Sequence, residues 1–175
     1  MRKFARCTAA LLGMTTGALF LTPSAHAAPT LLSCEGKQTA SYSPAMTNKE
    51  QTLTAGITES YDNCAVAPAG VSGGVGTASF KEDASCLVTA QPGRTDVIEY
   101  GWKNGKTSTV AFKVTNVVRA GTGITTVTSV GEVTSGLGAG SKATRVVVLP
   151  ALDPTACSGA GVTSQQGPAT LKFVP

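Results

Sequence analysis

Ile98-Glu99-Tyr100-Gly101-Trp102-Lys103-Asn104-Gly105-Lys106-Thr107-Ser108-Thr109-Val110-Ala111-Phe112-Lys113-Val114 is the stretch that decides how this chain reads. Apolar and polar residues alternate on both sides of Asn104-Gly105, as in two half-buried antiparallel strands joined by a tight turn. Two registers compete. A two-residue type I′ turn would pair Trp102 with Thr107 and set Ile98, Tyr100 and Trp102 on the face opposite Val110, Phe112 and Val114. A three-residue Lys103-Asn104-Gly105 loop, with Gly105 left-handed at a bulge, pairs Trp102 with Lys106 instead. Ile98, Tyr100, Val110, Phe112 and Val114 then share one face. A one-residue slip turns every side chain over, so the hydrophobic pattern selects the three-residue loop.

Working outward, β-branched runs bounded by Gly, Pro, Asn and Asp recur at 38–42, 52–61, 76–80, 85–89, 96–102, 108–118, 124–133, 143–149 and 169–174. No window from Ala28 onward carries a helical apolar stripe. The count and spacing predict an all-β fold, an immunoglobulin-like antiparallel β-sandwich of about 7–9 strands. Val146-Val147-Val148-Leu149 is unbroken and reads as a central strand buried on both faces. Ile124, Val127, Val130 and Val133 repeat every third residue, which fits neither regular period and reads as a strand with a bulge. Residues 150–168 are rich in Gly, Ser and Pro and read as a loop around Cys157, while 70–76 and 136–140 read as exposed connections.

The first 27 residues have the pattern of an export signal. Arg2, Lys3 and Arg6 precede a mostly apolar run ending at Leu21, and Ala25-His26-Ala27 supplies a small-x-small cleavage site. Residues 1–27 are therefore expected to be a cleaved secretory signal peptide, with 28–175 forming a single secreted domain. The apolar run is short for a membrane span and no later segment approaches that length, so no transmembrane segment is expected. Leu31-Leu32-Ser33-Cys34 resembles a lipobox, but Cys34 lies well beyond the apolar run. Its lipidation would also leave an odd number of cysteines, so unlipidated export is the preferred reading.

The whole chain carries 14 Lys and Arg against 10 Asp and Glu. Three of those basic residues belong to the leader, so the remainder is nearly neutral and has no basic stripe for a phosphate backbone. That argues against a nucleic-acid partner. After the leader the cysteines are Cys34, Cys64, Cys86 and Cys157, an even set that reads as two disulfides in an oxidising compartment. Folding 34–42 against 52–64 as a hairpin brings Cys34 opposite Cys64 and leaves Cys86 to bridge Cys157. Closing that long loop contributes on the order of 4 kcal/mol in the chain-entropy model. A Cys64–Cys86 pairing is the alternative.

The one histidine, His26, leaves with the leader. Ser-His-Asp and Cys-His catalysis and histidine metal sites go with it. There is no Ser-x-x-Lys and no calcium loop. The cysteine gaps contain no Cys-x-x-Cys, so no metal and no cofactor are expected. The carboxylate pairs Glu82/Asp83, Glu59/Asp62 and Asp96/Glu99 read as solvated surface charge. Phe80, Phe112 and Phe173 read as core. Trp102, flanked by Tyr100 near the hairpin tip, is the candidate ligand platform, because a half-exposed aromatic is how many secreted β-domains hold sugars.

Cys34-Glu35-Gly36-Lys37-Gln38-Thr39-Ala40-Ser41-Tyr42-Ser43-Pro44, Tyr61-Asp62-Asn63-Cys64 and Trp102-Lys103-Asn104-Gly105-Lys106-Thr107-Ser108 together resemble a group of small secreted β-sandwich proteins of filamentous actinobacteria (Streptomyces-like). The resemblance covers most of 28–175. It implies export and a β-fold and carries no active site. The expectation is a non-enzymatic extracellular or cell-envelope protein that binds a cell-wall polymer or a secreted protein through its surface. The competing readings are a secreted protease inhibitor presenting the loop around Cys157, and a glycoside hydrolase working with carboxylates alone.

Overall fold

The computed structural model describes residues 31–175 except Ala69 and Thr89, so the leader lies outside the described residues. Eight strands follow one another: β1 (Leu32–Met46), β2 (Gln51–Val66), β3 (Gly74–Ala84), β4 (Thr95–Trp102), β5 (Thr107–Arg119), β6 (Thr125–Gly136), β7 (Lys142–Leu149) and β8 (Val162–Val174). A short helix, α1 (Pro154–Ser158), precedes the last strand. Each strand pairs antiparallel with the next, and β1 also pairs with β8 from Leu32↔Phe173 to Ser41↔Ser164. The sheet therefore closes into an eight-stranded barrel, which corrects the expected two-sheet immunoglobulin-like sandwich.

The physical reason lies at the two ends of the sheet. β1 and β8 run 15 and 13 residues, far beyond the apolar cores that marked them in the sequence. Their long shared ladder removes both sheet edges, which only full closure can do. Tight curvature needs close backbone approach. At Gly167 a Cβ would run into the carbonyl oxygen of Val148, so the β7–β8 contact tolerates no side chain there.

The central hairpin adopts the three-residue loop. Trp102 N–H donates to the Lys106 carbonyl at 2.8 Å and Gly105 N–H donates to the Trp102 carbonyl at 2.9 Å. Gly105 is left-handed, with φ 80°. Pairing continues through Tyr100↔Ser108, Ile98↔Val110 and Asp96↔Phe112. Ile98, Tyr100, Val110, Phe112 and Val114 all point inward and are at most 1 % exposed.

Of the other local expectations, the irregular strand at 124–133 is found as β6 and the rest are corrected. The 146–149 run is not buried on both faces: Val147 and Leu149 point inward while Val146 and Val148 are only half-buried, as a barrel strand with one outer face requires. In β6 the period of two prevails. Thr125, Val127, Ser129 and Val133 are buried, Ile124 and Val130 are exposed, and the β5–β6 ladder carries two register shifts. The described part of the expected 85–89 strand, residues 85–88, forms none, since Ser85 and Val88 close a tight turn on each other. The 150–168 segment is not all loop. Asp153 caps α1 by accepting from Thr155 N–H at 2.8 Å, and β8 begins at Val162.

The disulfides join Cys34 to Cys64 and Cys86 to Cys157. The first ties β1 to β2 at the lower end of the barrel, where the central hairpin also turns. The second ties the 85–94 loop to α1 across the upper end. No helix among the described residues is long and apolar enough to cross a membrane.

Candidate functional site

Two apolar clusters fill the barrel. The lower contains Leu32, Tyr61, Tyr100, Trp102, Phe112 and Phe173. The upper contains Ala40, Tyr42, Met46, Leu53 and the Cys86–Cys157 disulfide. Between them lies a layer of charge, because five strands place a polar residue at an inward position where their neighbours carry aliphatic ones. Gln38 comes from β1, Glu59 from β2, Asp96 from β4, Ser129 from β6 and Arg145 from β7, and all are buried.

The contacts in this layer are specific. Tyr61 and Tyr100 hydroxyls donate to Glu59 Oε2 at 2.9 and 2.8 Å. Arg145 Nε lies 2.8 Å from Glu59 Oε1, and its Nη2 donates to Gln38 Oε1 at 3.0 Å. Arg145 Nη1 has no hydrogen-bond partner and lies 3.9 Å from Asp96 Oδ2. Arg94, at the end of the 85–94 loop, contacts Asp96 Oδ1 at 3.0 Å, pairs with Glu82 and lies 4.3 Å over the Phe80 ring. Burial, with the charge of Asp96 adding, holds the Glu82 carboxyl above its usual range against the pull of Arg94. Burial works against the Arg145 cation, but Glu59, Tyr100 and Asp96 outweigh it and hold the pKa above the ordinary value.

Arg94 and Glu82 sit at a seam. β3 and β4 pair only from Gly74↔Trp102 to Thr77↔Glu99, so Ala78–Ala84 and Thr95–Ile98 run side by side without a ladder. If the register continued, Glu82 would stand opposite Arg94, and their ion pair replaces the missing backbone bonds. Lys103 N–H donates to the Gly73 carbonyl, which shows that odd-numbered residues of β4 turn their backbone groups toward β3. Thr95 and Val97 therefore present theirs to the seam. Behind it is a cavity of about 30 Å³, lined by Gln38, Tyr42, Phe80, Glu82, Arg94 and Arg145 together with aliphatic wall residues.

Trp102 and Tyr100 do not form a surface platform. They are 4 % and 1 % exposed, and their rings stack with centroids 5.5 Å apart. Trp102 Nε1 donates to Ser108 Oγ at 2.8 Å, and that hydroxyl donates to the Leu137 carbonyl at 2.7 Å. An indole whose one donor is satisfied inside the barrel belongs to the core. The carboxylate pairs read as surface charge are each split by the fold. Glu59, Asp96 and Glu82 turn inward, while Asp62, Glu99 and Asp83 are exposed. The inward signal was present, since Glu59 shares the parity of Ala55, Ile57 and Tyr61, and Arg145 that of Ala143, Val147 and Leu149. Arg94 had no such signal, lying next to a Pro-Gly turn.

Fold and interior define a small, disulfide-tied, antiparallel eight-stranded barrel with a charged layer across its middle. No protein-family model, curated protein or solved structure matches the chain.

Proposed function

We propose that this chain is an exported, non-enzymatic binding domain that engages a cell-wall polymer or a secreted protein through its outer surface. The observation that carries this reading is the outer face beside the seam. Val97 and Val130 are 59 % and 44 % exposed there and flank Ala111, which pairs with Val97 across β4 and β5. Together with Lys113, Glu132 and Lys142 they line an open groove of about 540 Å³. Clustered exposed aliphatic residues with a charged rim are the usual composition of a contact surface.

The interior supports a non-catalytic reading. The buried carboxylates are all engaged by arginines or tyrosine hydroxyls, and the cavity beside them holds about one water, too little for a sugar between two acids. The segment around Cys157 is a capped helical turn tied down by its disulfide, which is a poor shape for the extended bait of a protease inhibitor.

Residues 28–175 with both disulfides intact should co-sediment saturably with purified cell walls, or retain a defined protein from culture medium on a column. Val97→Lys should weaken whichever binding is seen by about tenfold, since a buried interface aliphatic contributes roughly 1–2 kcal/mol. Absence of binding in both arms overturns the proposal.

A further inference from the structure

We propose that the space behind the seam is a binding site for a short aliphatic carboxylic acid, which enters between β3 and β4 and replaces the Glu82 carboxylate on Arg94. The walls of that space are Ala40, Ala55, Ile57, Val127, Val147 and Leu149. Two guanidinium groups line it, and the side chain of one of them, Arg145, is only 3 % exposed. Its Nη1 is a sealed donor with nothing to donate to. A buried, unpaired donor at the rim of an aliphatic pocket is the arrangement that selects an amphiphilic ligand with one acceptor end.

Room for the acid comes from Glu82. Its strand carries no ladder to β4 between Ala78 and Ala84, so its side chain can swing outward without breaking a backbone bond. The exchange leaves the charge of the layer unchanged, one carboxylate leaving as another arrives. Glu59 and Asp96 keep their own partners throughout. Glu82 is poorly placed to resist, because burial and the neighbouring Asp96 both work against its charged form, while Arg94 alone favours it. The other groups facing it are Asp96 from β4, the Tyr42 phenol from β1 and Arg145 across the cavity. Asp96 and Tyr42 add no attraction for a second negative charge. Each methylene of the acid that reaches the aliphatic walls should add about fourfold in affinity.

The test is thermal denaturation of the disulfide-intact protein near neutral pH with sodium butyrate, its uncharged isostere butyramide, and sodium chloride at matched ionic strength. Butyrate is expected to raise Tm saturably while butyramide and chloride do not. Glu82→Gln, which keeps the shape but removes the competing charge, should bind butyrate about tenfold more tightly, and Arg94→Met should not bind it. No saturable shift in either wild type or Glu82→Gln overturns the proposal, as does an undiminished shift in Arg94→Met. Should Arg94→Met fail to fold, methyl NMR of the wild type decides. Butyrate-induced shifts centred on Ile57, Val127 and Val147 support the site, and shifts centred elsewhere overturn it.

Discussion

Arg145 and Glu59 form an ion pair 2.8 Å long inside the barrel, and their side chains are 3 % and 0 % exposed. Neither charge can reach water, so each depends on the other and on the tyrosines and glutamine around them. Breaking one partner of such a pair leaves an uncompensated buried charge and costs about 3–5 kcal/mol, whereas replacing both with apolar residues is often close to neutral. Glu59→Gln and Arg145→Met should each lower urea stability by that amount. The double variant Glu59→Leu/Arg145→Met should recover most of the loss. Additive losses in the double variant would show that the two residues act independently.

The tyrosines give a pH prediction. The chain has three, Tyr42, Tyr61 and Tyr100, and burial is the first cause raising each of them, with Glu82 adding at Tyr42 and Glu59 at the other two. Each folded value lies above the ordinary 10, Tyr42 reaching about 12. The stability carried by the neutral phenols is therefore complete below about pH 10 and is lost as pH rises through the folded values. Tyrosinate absorbance should stay absent past pH 10 and appear together with loss of the circular dichroism of the fold. A tyrosine ionising near pH 10 in the folded protein would contradict the burial argument.

How much of this was legible in the sequence depends on whether the deciding contact is local. The Lys103–Gly105 loop was, because only one register puts Ile98, Tyr100, Val110 and Phe112 on one face. The first hairpin and its Cys34–Cys64 bond follow the same local logic. Closure was not, because it depends on β1 meeting β8, strands separated by almost the whole chain and each extended by polar residues such as Lys37, Gln165 and Gln166. The charged layer fell between these cases. Glu59, Asp96 and Arg145 keep the inward parity of their strands, but their chemistry argues for the surface, and only the partner on another strand makes burial affordable. Arg94 depends on where β3 and β4 part, which no local pattern reports.

The two disulfides should differ in what they hold. Cys86–Cys157 spans 71 residues and Cys34–Cys64 spans 30, so chain entropy predicts losses of about 4 kcal/mol for each, the longer loop costing slightly more. Replacing Cys86 and Cys157 with alanine should also free the 85–94 loop and α1 from each other. Limited proteolysis should then cut at 85–94 or 150–161 while the barrel stays folded. Replacing Cys34 and Cys64 should leave those upper loops resistant, because β1 and β2 remain joined by a long ladder. Equal proteolysis of the upper loops in both variants would assign their order to the barrel rather than to the bond.

Three glycine-to-alanine changes separate backbone freedom from close approach. Gly101 lies in β4 with open space where a Cβ would go and no unusual φ, so Gly101→Ala should stabilise by about 0.5 kcal/mol through the unfolded chain. Gly105 also has open space but sits at φ 80°, so Gly105→Ala should cost about 1–2 kcal/mol from left-handed strain alone. Gly167 has no left-handed φ but faces the Val148 carbonyl, so Gly167→Ala must push β7 and β8 apart and should cost more than either. Urea denaturation of the three variants should therefore rank them Gly101→Ala, Gly105→Ala, Gly167→Ala in falling stability. A mild Gly167→Ala would mean that the β7–β8 contact can widen, and that barrel closure tolerates a looser seam there as it does between β3 and β4.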